Sequence, residues 1–225
     1  MKTKAYFTII LCAAMAISSA VSAQNSIAVN GNIDMVNNYV WRGMDQNSGF
    51  SVQPSLSLSY KGLSFSSWGS QSITNNAPRD VQELDLNLSY SIGGFSATLT
   101  DYWWGGLHNP YGYYKHGPAD NLIDGGHHLE ATMSYRVSDK LPLTISWSTW
   151  IAGTDVRTCR DKRCYSSYIN ASYDIVCPAQ VTLTPSIGFT PWKGYYHDNA
   201  AVTEVAMKAS MRIGVSGTIS MPLFI

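Results

Sequence analysis

Charge is what this chain has least of. Asp, Glu, Lys and Arg together make up 13% of it, about half the usual share for a soluble domain. The signs balance, 15 basic against 15 acidic, which argues against a nucleic-acid-binding face. Beyond Val21 no run of eighteen apolar residues occurs, so no transmembrane helix is expected. No Gly-x-Ser-x-Gly elbow is present. The five histidines, His108, His116, His127, His128 and His197, sit in or beside stretches read as long loops. Their spacing matches no standard metal motif, so they read as solvated side chains and no cofactor or metal is expected.

What the chain does have begins with a leader. Lys2 and Lys4 precede an uncharged apolar stretch, Ala5 to Val21, and Val21-Ser22-Ala23 places small residues before Gln24. This reads as a secretory signal peptide over 1–23. The remaining 24–225 then form one domain with thirteen basic and fifteen acidic residues. Aromatic residues reach 12%, with 14 Tyr and 7 Trp.

Alternation is the dominant pattern. In Val52 to Tyr60, Val52, Pro54, Leu56, Leu58 and Tyr60 share one face, and Gln53, Ser55, Ser57 and Ser59 the other. A period of two puts those sets on opposite faces of a β-strand. The same reading predicts strands at 26–44, 50–60, 63–70, 81–91, 95–104, 127–137, 142–151, 165–174, 181–190, 202–213 and 216–225. Connections alternate in length. Lys61-Gly62, Gly93-Gly94 and 138–140 are tight, whereas 71–80, 105–126, 152–164 and 191–201 are long, with 45–49 the shortest on the long side. Tight turns on one rim and long loops on the other fit a transmembrane antiparallel up-and-down β-barrel of about 11–12 strands. Tyr60, Tyr90, Tyr135 and Tyr173 fall on the apolar face at one rim, as an aromatic girdle would; Trp41, Trp103 and Trp147 fall toward the other. A soluble sandwich gives similar alternation, and the tyrosine row weighs against it.

Tyr39-x-x-Arg42-Gly43-x-x-Gln46, Val52 to Tyr60 and Ser67-Trp68-Gly69-Ser70 together resemble the TorF-type porin family of Gram-negative outer membranes. Glu83 to Tyr90 and Thr190 to Tyr196 are similar too, so the resemblance covers most of the mature chain. It implies an outer-membrane pore and supplies no catalytic or ligand residues. Members usually carry one more closing strand than the eleven read here. Two explanations compete: a strand merged within Ser26 to Met44, or an absent final strand, and the second is preferred.

Strand parity assigns Asp34, Arg42, Glu83, Asp85, Glu130, Arg136, Asp174, Glu204, Lys208 and Arg212 to the interior. An ion-pair network bracing the barrel comes first for these, ahead of a constriction that orients solutes. About twelve strands lie between filled and open barrels, so the expected pore is narrow. The functional expectation is passive diffusion of small polar solutes across the outer membrane, with membrane lipid as the other partner. The alternatives are a non-conducting structural or ligand-binding barrel and, more distantly, a barrel-embedded lipid hydrolase. Cys159 and Cys164 share one long loop and form the expected pair if any disulfide forms; Cys177 lies at the opposite rim, out of reach.

Overall fold

The computed structural model describes residues 14–15, 26–47, 49–74, 82–105, 127–153, 155, 159, 162–213 and 217–224. It is all-β. After a two-residue strand β1 (Ala14–Met15) come β2 (Ala28–Val36), β3 (Tyr39–Trp41) and β4 (Met44–Asn47). Then follow β5 (Ser51–Tyr60), β6 (Leu63–Ser72), β7 (Gln82–Ile92), β8 (Phe95–Gly105), β9 (His127–Arg136) and β10 (Leu143–Ala152). The chain closes with β11 (Ser167–Tyr173), β12 (Ile175–Val176), β13 (Val181–Thr190), β14 (Ala201–Ile213) and β15 (Gly217–Phe224).

Each long strand pairs antiparallel with the next in an unbroken meander from β2 to β15, with β12 against β13. The tight turns explain the register. Lys61 and Gly62 both have positive φ (48° and 84°) and join Tyr60 to Leu63 directly. That is the primed-turn geometry that matches strand twist. Residues 75–81 and 106–126, which include His108 and His116 and read from the sequence almost wholly as parts of long loops, lie outside the described residues.

The first predicted strand requires correction. It does not run over 26–44. The main-sheet strand stops at Val36, and β3 and β4 form a separate two-stranded ribbon. The merged-strand explanation does not hold, because the broken-off piece adds no strand to the main sheet. The segment does break near Asn37-Asn38, but its second half leaves the sheet. Arg42 (φ 52°) and Gly43 (φ 77°) form the two-residue turn of that ribbon, with Trp41 opposite Met44. The turn therefore falls at 42–43 and not at 45–49.

The two faces of the sheet are inverted relative to a water-soluble fold. Leu56, Leu58, Phe65, Leu88, Met133, Ile145 and Ile187 are exposed, while Ser51, Gln53, Ser70, Glu83, Thr100, Glu130 and Ser148 are buried. Tyr60, Tyr90, Tyr135 and Tyr173 are on the exposed face. The sheet curls around the ribbon. Tyr39 packs on Trp68 of β6, ring centroids 5.6 Å apart, and a Cβ on Gly43 would strike the Thr203 carbonyl of β14. Those strands are seven steps apart in the sheet, about 34 Å if it were flat. Tyr39 to Gly43 spans at most about 14 Å of backbone, and its contacts at both ends draw β6 and β14 toward each other, so the sheet curves around the ribbon.

Candidate functional site

The ribbon places Arg42 against β9, β11 and the connection between β13 and β14. Arg42 Nη1 donates to Glu130 Oε2 (2.6 Å) and Nη2 to Oε1 (2.8 Å). This is a two-pronged pair that suits a planar guanidinium. Glu130 on β9 is 1% exposed and Arg42 11%, so each charge relies on the other for what water would otherwise supply. Tyr102 on β8 donates to Glu130 Oε1 (3.0 Å) and Thr132 also reaches it (3.3 Å). The Tyr196 hydroxyl accepts from Arg42. The guanidinium carbon also stands 4.5 Å from the Trp41 ring centre and 4.7 Å from that of Tyr168. Those rings solvate the part of the cation that the carboxylate leaves bare.

Around this pair the interior is aromatic. Trp41 meets Tyr102, Trp104 and Tyr196 at 5.7, 5.9 and 5.8 Å. His128 lies 4.3 Å from Trp104 and 5.0 Å from Trp150, and Tyr195 lies 4.5 Å from Trp150. Two expectations change here. Trp41 does lie toward the long-loop end, but it packs on interior aromatics and not on the outer face. His128, read as a solvated loop residue, is buried on β9, with His127 beside it paired to Asp101 (3.0 Å).

Beside the aromatic cluster lie two carboxylates on β7. Glu83 faces Ser70 and Trp104 across the ladder, and Asp85 faces Trp68 and Tyr102. Both are buried. Tyr39 and Trp104 turn their polar edges toward Glu83.

The other predicted interior residues are spread out. Glu204 lies against Tyr168 and the Gly43 amide, at the far end of the ribbon. Asp34 accepts from Asn32 (2.8 Å). Arg136 donates to Asp174 at the opposite rim (2.9 Å), and Thr184 donates to the other oxygen (2.8 Å). These two contacts, with Lys208 acting from β14, hold the Asp174 carboxyl below its ordinary value. Lys208 itself is exposed. The Arg212 side chain lies outside the described residues. Thus Arg42, Glu83, Asp85, Glu130 and Glu204 gather at the long-loop end, and Arg136, Asp174 and Lys208 at the other. The sequence reading missed Tyr102, Trp104, Trp150 and Tyr168. The signal was present: these aromatics sit on the polar parity of their strands, where a girdle residue does not belong.

Cys159 and Cys164 are joined by a disulfide, Cα atoms 5.5 Å apart, and Cys177 is a free thiol. Among the described residues no group of three or more His, Cys, Asp or Glu is arranged to hold a metal ion. No family model, curated protein or solved structure matches this chain.

Proposed function

We propose that the chain is an outer-membrane β-barrel of the TorF type, exported by its leader, that passes small polar solutes through a narrow lumen. The observation that carries this reading is the inverted sheet. An apolar face left uncovered along the whole meander, with Glu83, Glu130 and Gln53 buried behind it, suits lipid outside and water inside. The exposed tyrosine row at the tight-turn rim suits a headgroup level. In this reading the β3–β4 ribbon is the constriction.

A second reading, a barrel that does not conduct, draws on the Arg42–Glu130 pair. A buried two-pronged ion pair that ties a ribbon across the interior is a brace as well as a gate. Planar-bilayer recording of the purified protein separates the two. Small discrete current steps are expected for the channel; silence from protein that is folded and inserted would leave the brace.

A further inference from the structure

We propose that Glu83 and Asp85 form a binding site for a small primary ammonium group, so that the solutes selected are amines. The proposal rests on the channel reading for its role in transport, but the site itself stands on the geometry of β7 and its neighbours.

Glu83 is 5% exposed and Asp85 8%. One oxygen of each, Glu83 Oε2 and Asp85 Oδ1, is buried without a hydrogen-bond partner. Among the described residues no ion pair reaches either carboxylate. Arg42, the nearby guanidinium, is held by Glu130. Glu83 and Asp85 are within hydrogen-bond reach of each other; two buried carboxylates side by side without a counter-charge are costly, and a bound cation offsets that cost.

The surroundings narrow the kind of cation. Two carboxylates fall well short of the roughly six to eight oxygens that calcium takes, and no larger ligand group is arranged here among the described residues. The remaining walls are aromatic. Trp68 and Tyr102 flank Asp85 in the ladder, Trp104 flanks Glu83, and Tyr39 packs over Trp68 from the ribbon. Ring faces attract ammonium groups, primary and quaternary alike, so the rings alone do not choose between them. The two unpartnered oxygens ask for N–H donors. A primary ammonium offers three donors on a point charge, whereas a quaternary ammonium has none to give.

The test is a titration of intrinsic tryptophan fluorescence on the full chain in detergent micelles, since Trp68 and Trp104 border the site. Ethylammonium chloride should give a saturable change. Sodium chloride and tetramethylammonium chloride at the same ionic strength should not. Glu83→Gln with Asp85→Asn should weaken ethylammonium at least tenfold, while Asp174→Asn at the far rim should leave it unchanged. The comparison among salts needs only the native chain, so it holds even where the double variant does not fold. Equal responses to all three salts would overturn the site. Saturation by calcium chloride in place of ethylammonium would do the same, as would an unchanged response in a folded double variant. A shared proton filling the site in place of a cation would show as no saturable change at all. Ethylammonium binding with a silent bilayer would sink the channel reading and leave the site; conductance without binding would do the reverse.

Discussion

The two ends of the interior are built from the same alternating strands and filled in opposite ways. Toward the long loops, the inward positions are Glu83, Asp85, Tyr102, Trp104, Glu130, Trp150 and Tyr168, and the ribbon packs into them. Toward the tight turns, beside the half-exposed Arg136–Asp174 pair, they are small hydroxyls and amides: Ser57, Ser59, Ser64, Ser66, Asn87 and Thr98. There Ser59 bonds Ser64 (2.9 Å) and Thr100 bonds Asn87 (2.7 Å). Strand pairing alone therefore does not fix what an interior can do. Side-chain volume at one parity decides whether a given level is packed or leaves room for water.

The largest effect expected from that difference is at Glu130. Glu130→Ala strips Arg42 of its carboxylate in a buried setting, a loss of about 3–5 kcal/mol. Asp174→Ala breaks the half-exposed Arg136 pair (41% and 34% exposed), worth about 0–1 kcal/mol. Urea midpoints of the two variants in lipid vesicles should differ accordingly; similar midpoints would erase the contrast between the ends.

Next is the outer face, which both ends share. Leu88→Arg, near the middle of β7, should cost about 2–4 kcal/mol if that face meets lipid. On a face that meets water the cost would stay within about 0.5 kcal/mol. The same vesicle titration reads it, and a neutral result would remove the membrane from the account.

A smaller pair of changes compares two turns. Gly43→Ala and Gly62→Ala each force a side chain into positive φ, with the new Cβ against the carbonyl of Thr203 or Ser91, at about 1–3 kcal/mol. The stability losses should be alike. Only Gly43→Ala unseats the ribbon, so only it should enlarge the unit conductance in a bilayer. Equal conductance in both variants would place the ribbon off the conducting path.

The smallest effect is the pH dependence at the tight-turn rim. Asp174 lies just past β11, and its carboxyl is held below the ordinary 3.8 chiefly by the hydrogen bond from Arg136. A depressed folded-state value means its contribution is present above the unfolded value and fades as pH falls through the folded one. Asp174→Asn should therefore trail the native chain at neutral pH and converge with it below pH 3.8. A gap that persists into stronger acid would assign the difference to something other than this charge.

Most of the sheet was legible because period two is hard to mistake. From β5 onward the main-sheet strands lie within two residues of the ranges read from alternation, as for 181–190 and 201–213. The ribbon was not legible, because Tyr39 to Asn47 continues the strand-like composition of β2 without a break. Its turn is Arg42-Gly43, where Arg occupies the positive-φ place that Asn or Asp usually signals. The interior charges were assigned by parity, which says which way a side chain faces but not which side chains on other strands it meets. Parity put Glu130 on the inward face, but Arg42 was assigned along a strand that does not exist and reaches Glu130 from a turn off the main sheet, 88 residues away.

That separation bears on the order of assembly. The ribbon near the start of the chain touches Trp68, Glu130, Tyr168 and Thr203 in turn. A folded ribbon cannot be threaded into a sheet that has already rolled up around the space it needs. It has to be in place early and be wrapped by strands that arrive later, so contacts of long sequence separation should govern the rate. During insertion into vesicles, protease cleavage at Arg42 should cease only when β13 and β14 dock; protection before then would show that the ribbon is buried by its near neighbours alone.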